Sequence, residues 1–126
     1  MPASPTPKQT GRRGEALAAK FLKDQGFSIL SRGFRTRYGE LDIVAREGPV
    51  LCFVEVKTRT QPDFGPPIEA VTPAKIRRLA QSAQVYLARK KLSAVPVRFD
   101  VVAVVESSAG VEIELFRGAF ENPLRF

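Results

Sequence analysis

The sequence predicts an α/β domain, a mixed β-sheet flanked by helices in the order αβββαβ with a short final strand. Three observations predict it. Two segments repeat apolar residues at helical spacing, and two β-rich runs are separated by a turn sequence. A third run, Val101-Val102-Ala103-Val104-Val105, is too continuously apolar for a strand with one wet face and predicts a buried central strand. Strands interleaved with helices in this way call for helices laid against a sheet.

Taken in order, residues 1–10 hold three prolines, a serine and two threonines and are expected to form a flexible tail. Residues 11–126 then form a single domain. The first helix is expected to start near Arg12–Gly14 and to run to Gln25, because Leu17, Ala18 and Phe21 share a face and Gly26 suits the position after the last turn. Phe27 to Phe34 predicts a strand, with Gly33 at a bulge. Glu40–Ala45 and Val50–Lys57 predict a hairpin around Arg46-Glu47-Gly48-Pro49. Thr58 to Val71, with three prolines and a glycine, predicts a long loop of the kind that often carries function. Thr72-Pro73 supplies an N-cap and a first-turn proline for a helix whose Ile76, Leu79, Ala80, Ala83 and Leu87 form one apolar stripe. Val97–Val105 is the central strand and Val111–Phe116 a short last one. Phe120, Leu124 and Phe126 are expected to tuck back onto the core, and no internal repeat is visible.

At 126 residues the chain fits one domain of roughly 100–200 residues, and 44% apolar residues suffice for one core. One cysteine excludes an intrachain disulfide and a thiol metal cluster. The absence of histidine removes imidazole acid–base chemistry, serine–histidine triads and ordinary zinc sites. Carboxylates, lysine, hydroxyls and an oxygen-seeking cation remain. The first residues contain no apolar stretch typical of a secretory signal, and no run approaches the roughly 20 apolar residues of a spanning helix, so a cytoplasmic setting away from membranes is expected.

The net charge of +7 is unevenly placed. Lys8, Arg12 and Arg13 stand without an acid in residues 1–14, as do Lys75, Arg77, Arg78, Arg89, Lys90 and Lys91 in residues 73–91, leaving the remainder mildly acidic. Such a pattern is either a solvated basic face or the footprint of a polyanion binder whose centre holds cations.

The informative acids lie in the hairpin. With the turn at Gly48-Pro49, residue 47 pairs with 50 and Asp42 falls opposite Glu55. Opposed residues of an antiparallel pair share a face with Cβ atoms roughly 4.5–5.5 Å apart. Two carboxylates so close repel unless a positive group lies between them, and Mg²⁺ prefers such hard oxygen ligands. Lys57 follows Glu55 on the same face, within reach of a phosphate. An exposed ion pair on a wet face is the plain alternative, but Glu55 and Lys57 end an apolar run, Val50 to Val54, where an unpaired charge is costly. Glu15 is either a favourable acid near a helix N-terminus or a further support for the cation. Glu40 shares the Asp42 face by alternation and is either a further ligand or the exposed end of the hairpin. Arg35, Arg37 and Arg59 flank these strands and either grip phosphates or are merely solvated.

These residues carry a resemblance. Glu15, then Gly39-Glu40-Leu41-Asp42-Ile43-Val44, then Val54-Glu55-Val56-Lys57-Thr58-Arg59 resembles the PD-(D/E)XK nuclease superfamily. More narrowly, from Gly11 to Phe126 the chain looks like the YraN-type family of uncharacterised bacterial proteins, which are similar to archaeal Holliday junction resolvases. Gly11-Arg12-Arg13-Gly14-Glu15, Ala70-Val71-Thr72-Pro73-Ala74-Lys75 and Arg98-Phe99-Asp100-Val101-Val102 belong to the same likeness. The Gln-x-x-x-Tyr motif of RecB-type nucleases is not matched, since Gln81 is followed four residues later by Val85, with Tyr86 one place on.

The resemblance implies a restriction-endonuclease-like fold, metal-binding acids at Asp42 and Glu55, a catalytic lysine at Lys57 and a supporting acid at Glu15. It further implies Mg²⁺, with Mn²⁺ as a substitute, a nucleic-acid partner that is most simply DNA, and a homodimer by analogy with resolvases. Arg35, Arg37, Arg59, Lys75, Arg77 and Arg78 are the expected backbone-binding cations. Two functions follow as expectations: a Mg²⁺-dependent endodeoxyribonuclease acting on branched or structured DNA, and a nucleic-acid-binding module of the same fold without turnover.

Overall fold

The computed structural model describes residues 7–59 and 71–126. Helix α1 (Pro7–Asp24) is followed by β1 (Ser28–Thr36), β2 (Gly39–Glu47) and β3 (Val50–Arg59), then by α2 (Pro73–Arg89), β4 (Val97–Ser107) and β5 (Gly110–Phe120). The strands form one five-stranded sheet in the order β1-β2-β3-β4-β5. Only β3 and β4 run parallel; the other neighbours are antiparallel. A parallel pair needs a crossover, and α2 lies within it.

Alternation along the central strands sends apolar side chains to both faces. Leu51, Phe53, Phe99 and Val101 pack with Leu79, Ala80, Ala83 and Tyr86 of α2. Edge-to-face contacts of Tyr86 with Phe34 and Phe53, centroids 5.0 and 5.8 Å apart, tie that helix to β1 and β3. Ile43, Ala45, Cys52, Val54, Val102 and Val104 instead meet Ala18, Ala19 and Leu22 of α1. The sheet is therefore covered on both faces, as the run Val101–Val105 predicts.

Thr72 caps α2 by accepting the Lys75 N–H at 3.2 Å, and Pro73 begins the helix. Helix α1 ends in a Schellman arrangement: Phe27 N donates to Leu22 O at 2.9 Å, Gly26 N donates to Lys23 O at 3.0 Å, and Gly26 takes φ +98°.

Several boundaries differ from expectation. Helix α1 begins at Pro7, so residues 7–10 of the expected tail are helical; proline is well tolerated in a first turn. Residues 1–6 lie outside the described residues. The β1 bulge falls between Ile29 and Ser31, leaving Leu30 unpaired and 45% exposed, rather than at Gly33. The last strand is not short: β5 has 11 residues, its apolar pattern blurred because it is an edge strand and because Gly118, at φ +59°, bends it. Thr58 and Arg59 extend β3 and pair with Val104 and Val105, while residues 60–70 of the expected loop lie outside the described residues. Phe120 and Leu124 pack on the core as expected, whereas Phe126 stays exposed.

Candidate metal and nucleic-acid site

The β2–β3 register follows the turn, running from Glu47↔Val50 through Ala45↔Cys52 to Ile43↔Val54. The next pair in that register is Asp42 with Glu55, and there the ladder stops. Asp42 Oδ2 instead accepts the Val56 N–H at 2.9 Å, so a side chain takes over where the backbone pairing ends. Strand β2 also rolls over at this point: Leu41 packs on the α2 side of the sheet, while Ile43, two residues on, packs on the α1 side. Asp42 thus sits in the mouth between two diverging strands, open to groups from both faces.

From the α1 face comes Glu15. Its neighbour Gly14 is fully packed against β3, and a Cβ there would collide with the Thr58 side chain. A glycine inside a helix costs roughly 0.5–1 kcal/mol relative to alanine, and here it permits the close approach that brings Glu15 to the mouth. Ala18 and Ala19 are buried in the same contact. Glu15, Glu40 and Asp42 each offer one oxygen within 4.8 Å of the others. Glu15 Oε1 is buried and has no hydrogen-bond partner among the described residues.

From the α2 face comes a lysine. Glu55, only 5% exposed, receives Lys75 Nζ at 2.8 Å and Lys57 Nζ at 3.6 Å on the same oxygen. Glu15, Glu40 and Asp42 form a compact acidic trio, and Glu55, whose charge acts on Asp42, stands beside it in an ion pair with Lys75 and Lys57. Lys57 lies next to Glu55 as alternation predicts. Lys75 turns inward to the acids instead of lying on an outer basic face.

Burial, reinforced by Glu55, pushes the Asp42 carboxyl up to about 7, against the lowering effect of the Val56 N–H. Burial and then the Glu40 charge likewise raise Glu15. Burial and the neighbouring Lys75 ammonium lower Lys57. Burial opposes the Lys75 charge as well, but its hydrogen bond to Glu55 leaves that group above its ordinary value.

The expected backbone-binding arginines are spread around this mouth. Arg35 is mostly exposed and pairs with Glu40 at 3.3 Å. Arg37 donates to the Tyr38 hydroxyl at 2.7 Å with its guanidinium over the ring. Arg59 is half-buried at the end of β3. Arg77 and Arg78 are exposed on α2, and Arg78 lines a cavity of about 130 Å³ together with Lys75, Glu40 and Tyr38.

Alternation offers Glu40 as a further ligand, and its approach to Glu15 depends on the packing of α1. Lys75 is the member of the mouth that the sequence places elsewhere, among the backbone-binding cations. Lys75 had a readable signal: a lysine in a first helical turn opposes the helix dipole, and a residue that breaks a local rule often marks a functional position.

The donor set fits a hard divalent cation. Three carboxylate oxygens converge, one is orphaned and another is driven toward protonation by burial and the Glu55 charge, which is the environment Mg²⁺ or Mn²⁺ relieves. No imidazole or thiolate belongs to this trio, so a softer metal has no matching ligand here.

A mixed sheet in this order, held between two helices and carrying acids where β2 and β3 part, is a restriction-endonuclease-like fold. The chain belongs to the uncharacterised protein family UPF0102, whose sequence profile matches residues 14–104. It is 49% identical over 115 residues to a UPF0102 protein of Geotalea daltonii, covering 90% of this chain and 91% of that protein. A UPF0102 protein of Syntrophotalea carbinolica is 50% identical over 111 residues, covering 88% and 90% of the two chains. One from Symbiobacterium thermophilum is 47% identical over 114 residues, covering 90% and 97%. Among the described residues no helix is long and apolar enough to cross a membrane.

Proposed function

We propose that the protein is a Mg²⁺-dependent endodeoxyribonuclease acting on branched or structured DNA in the cytoplasm. The observation that supports this reading is the convergence of Glu15, Glu40 and Asp42 beside the Glu55–Lys57 pair, an assembly of like charges that weakens the fold unless a cation and a phosphate complete it.

Asp42, Glu15 and Glu40 would hold the cation, with Glu55 adjoining. Such an ion, when bound, polarises a phosphoryl oxygen and lowers the pKa of a water. The chain's own residues do the rest. The Val56 N–H holds the Asp42 Oδ2 in place, limiting the reorganisation that binding would need. Lys57, partly shielded from solvent beside Glu55, presents its Nζ to the charge that develops on the phosphoryl group. Lys75 holds Glu55 in place. The surrounding arginines meet the flanking backbone without reading bases. A homodimer would set two such mouths on one two-fold substrate.

The test is a panel of labelled duplex, flap, nicked and four-way DNA incubated with Mg²⁺ or Mn²⁺. Cleavage of a branched or nicked member is expected, with Lys57→Ala and Asp42→Ala each losing about 10²-fold or more while binding persists. Equal activity in these variants contradicts the assignment. The tight contact of Lys75 with Glu55 favours a second reading, a binding module whose acid is already neutralised. That reading expects salt-sensitive binding and no cleavage with any divalent ion.

A further inference from the structure

We propose that the cavity between α1 and β1 is a phosphodiester subsite that seats the nucleic-acid backbone beside the acidic mouth. This rests on the reading of a polynucleotide substrate, but not on turnover. The cavity measures about 320 Å³ and is lined by Arg12, Glu15, Arg32, Gly33, Arg35 and Glu40. Three guanidiniums thus surround the two carboxylates that lead into the mouth.

Gly33 explains how β1 supplies two of them. Residues three apart on a regular strand point to opposite faces. Arg32 and Arg35 nevertheless line one cavity, because the strand turns at Gly33, whose φ of +65° is a left-handed conformation. Lacking a side chain, Gly33 also leaves the floor open; a Cβ there would lie 3.4 Å from Glu40 Oε1.

On α1, two adjacent arginines divide their work. Arg13 is pinned to Glu106 at 2.6 Å, while Arg12 faces the cavity. Neither Arg12 nor Arg32 makes a hydrogen bond or ion pair among the described residues, so both forks are available to an incoming anion. The Arg35–Glu40 contact is long and exposed and is readily exchanged for a phosphate. Glu40 lines this cavity and also the smaller one bearing Lys75 and Arg78 under α2, so the two adjoin at that residue. A strand crossing Glu40 meets cations on both sides of the acids, with the reacting phosphate between them.

The test is the salt dependence of binding, read by fluorescence anisotropy with a labelled duplex on the Lys57→Ala background, so that cleavage does not consume the probe. Neutralising one phosphate contact changes the slope of log K against log salt by about one. Arg12→Ala and Arg32→Ala are each expected to flatten the slope by about one, and the double variant by about two. Lys23→Ala, an exposed cation at the far end of α1, leaves it unchanged. An unchanged slope in the double variant, with a native circular dichroism spectrum, overturns the proposal. So does wild-type protein that shows no salt-sensitive binding. Inorganic phosphate competing as strongly as the duplex assigns the cavity to a free anion and likewise overturns it. Flattened slopes without cleavage by the wild-type chain sink the nuclease reading and leave the subsite standing. Cleavage with unchanged slopes does the reverse.

Discussion

Two carboxylate clusters are built on this one sheet, and on opposite terms. In one, Asp100 is fully buried, and both its oxygens accept the Arg98 fork at 2.8 Å. Its Oδ1 also accepts the Gly118 N–H at 2.9 Å. Glu47 adds Arg98 at 2.8 Å and Arg117 at 2.7 Å, so every carboxylate oxygen there has a donor. Bonds from Arg117 and Arg98 hold Glu47 down at about 2, and Arg98 is correspondingly raised. In the other, Asp42 is driven up to about 7 and Glu15 keeps a buried oxygen without a partner. This sheet can therefore satisfy its acids. The place where it does not do so is the one we propose to be functional.

The largest expected effect breaks the paired cluster. Asp100→Ala takes the buried acceptor from the part-buried Arg98 fork and from the Gly118 N–H and should cost about 3–5 kcal/mol, seen as a fall in the denaturant midpoint. Any cleavage per folded molecule should be preserved.

Asp42→Asn should act with the opposite sign. The folded chain holds a proton on Asp42 that the unfolded chain releases between about pH 4 and 7, so stability falls as pH rises through that window. Without divalent cation the variant should gain roughly 1–3 kcal/mol at pH 8, and little at pH 4, by thermal unfolding across pH. Glu47 works the other way, since its contribution is present above the ordinary carboxylate range and is lost as pH falls toward about 2. Acid should thus weaken the paired cluster, and neutral pH the acidic mouth.

The smallest expected effect sharpens the link between fold and site. Thr72→Ala removes the cap that receives the Lys75 N–H and should cost about 1 kcal/mol, again by denaturant midpoint. Because Lys75 lies in that same turn, the loss should be accompanied by a weaker grip on Glu55.

Most of this fold was legible because its signals are local. The Gly48-Pro49 turn set the β2–β3 register, and the Thr72-Pro73 cap with its apolar stripe set α2. The site was legible as far as local geometry reaches: Asp42 comes up beside β3, and Lys57 follows Glu55. What escaped depends on packing between distant elements. Gly14 against Thr58 draws Glu15 to Glu40, and α2 delivers Lys75 to Glu55 from twenty residues away. The pattern around Gly33 suggests a bulge, whereas its left-handed backbone turns two arginines into one cavity, a difference that pattern alone does not distinguish.

The central claim is that the acidic mouth is completed by a divalent cation, and thermal unfolding at pH 8 with increasing Mg²⁺ or Mn²⁺ tests it most directly. Stabilisation by a ligand that binds only the folded state grows with its concentration, about 2.7 kcal/mol at a hundred times Kd. The wild-type chain should rise in Tm on titration, while Asp42→Asn and Glu15→Gln, which start higher, should rise little. A wild-type Tm that ignores both cations, or variants that rise as far as the wild type, would contradict it.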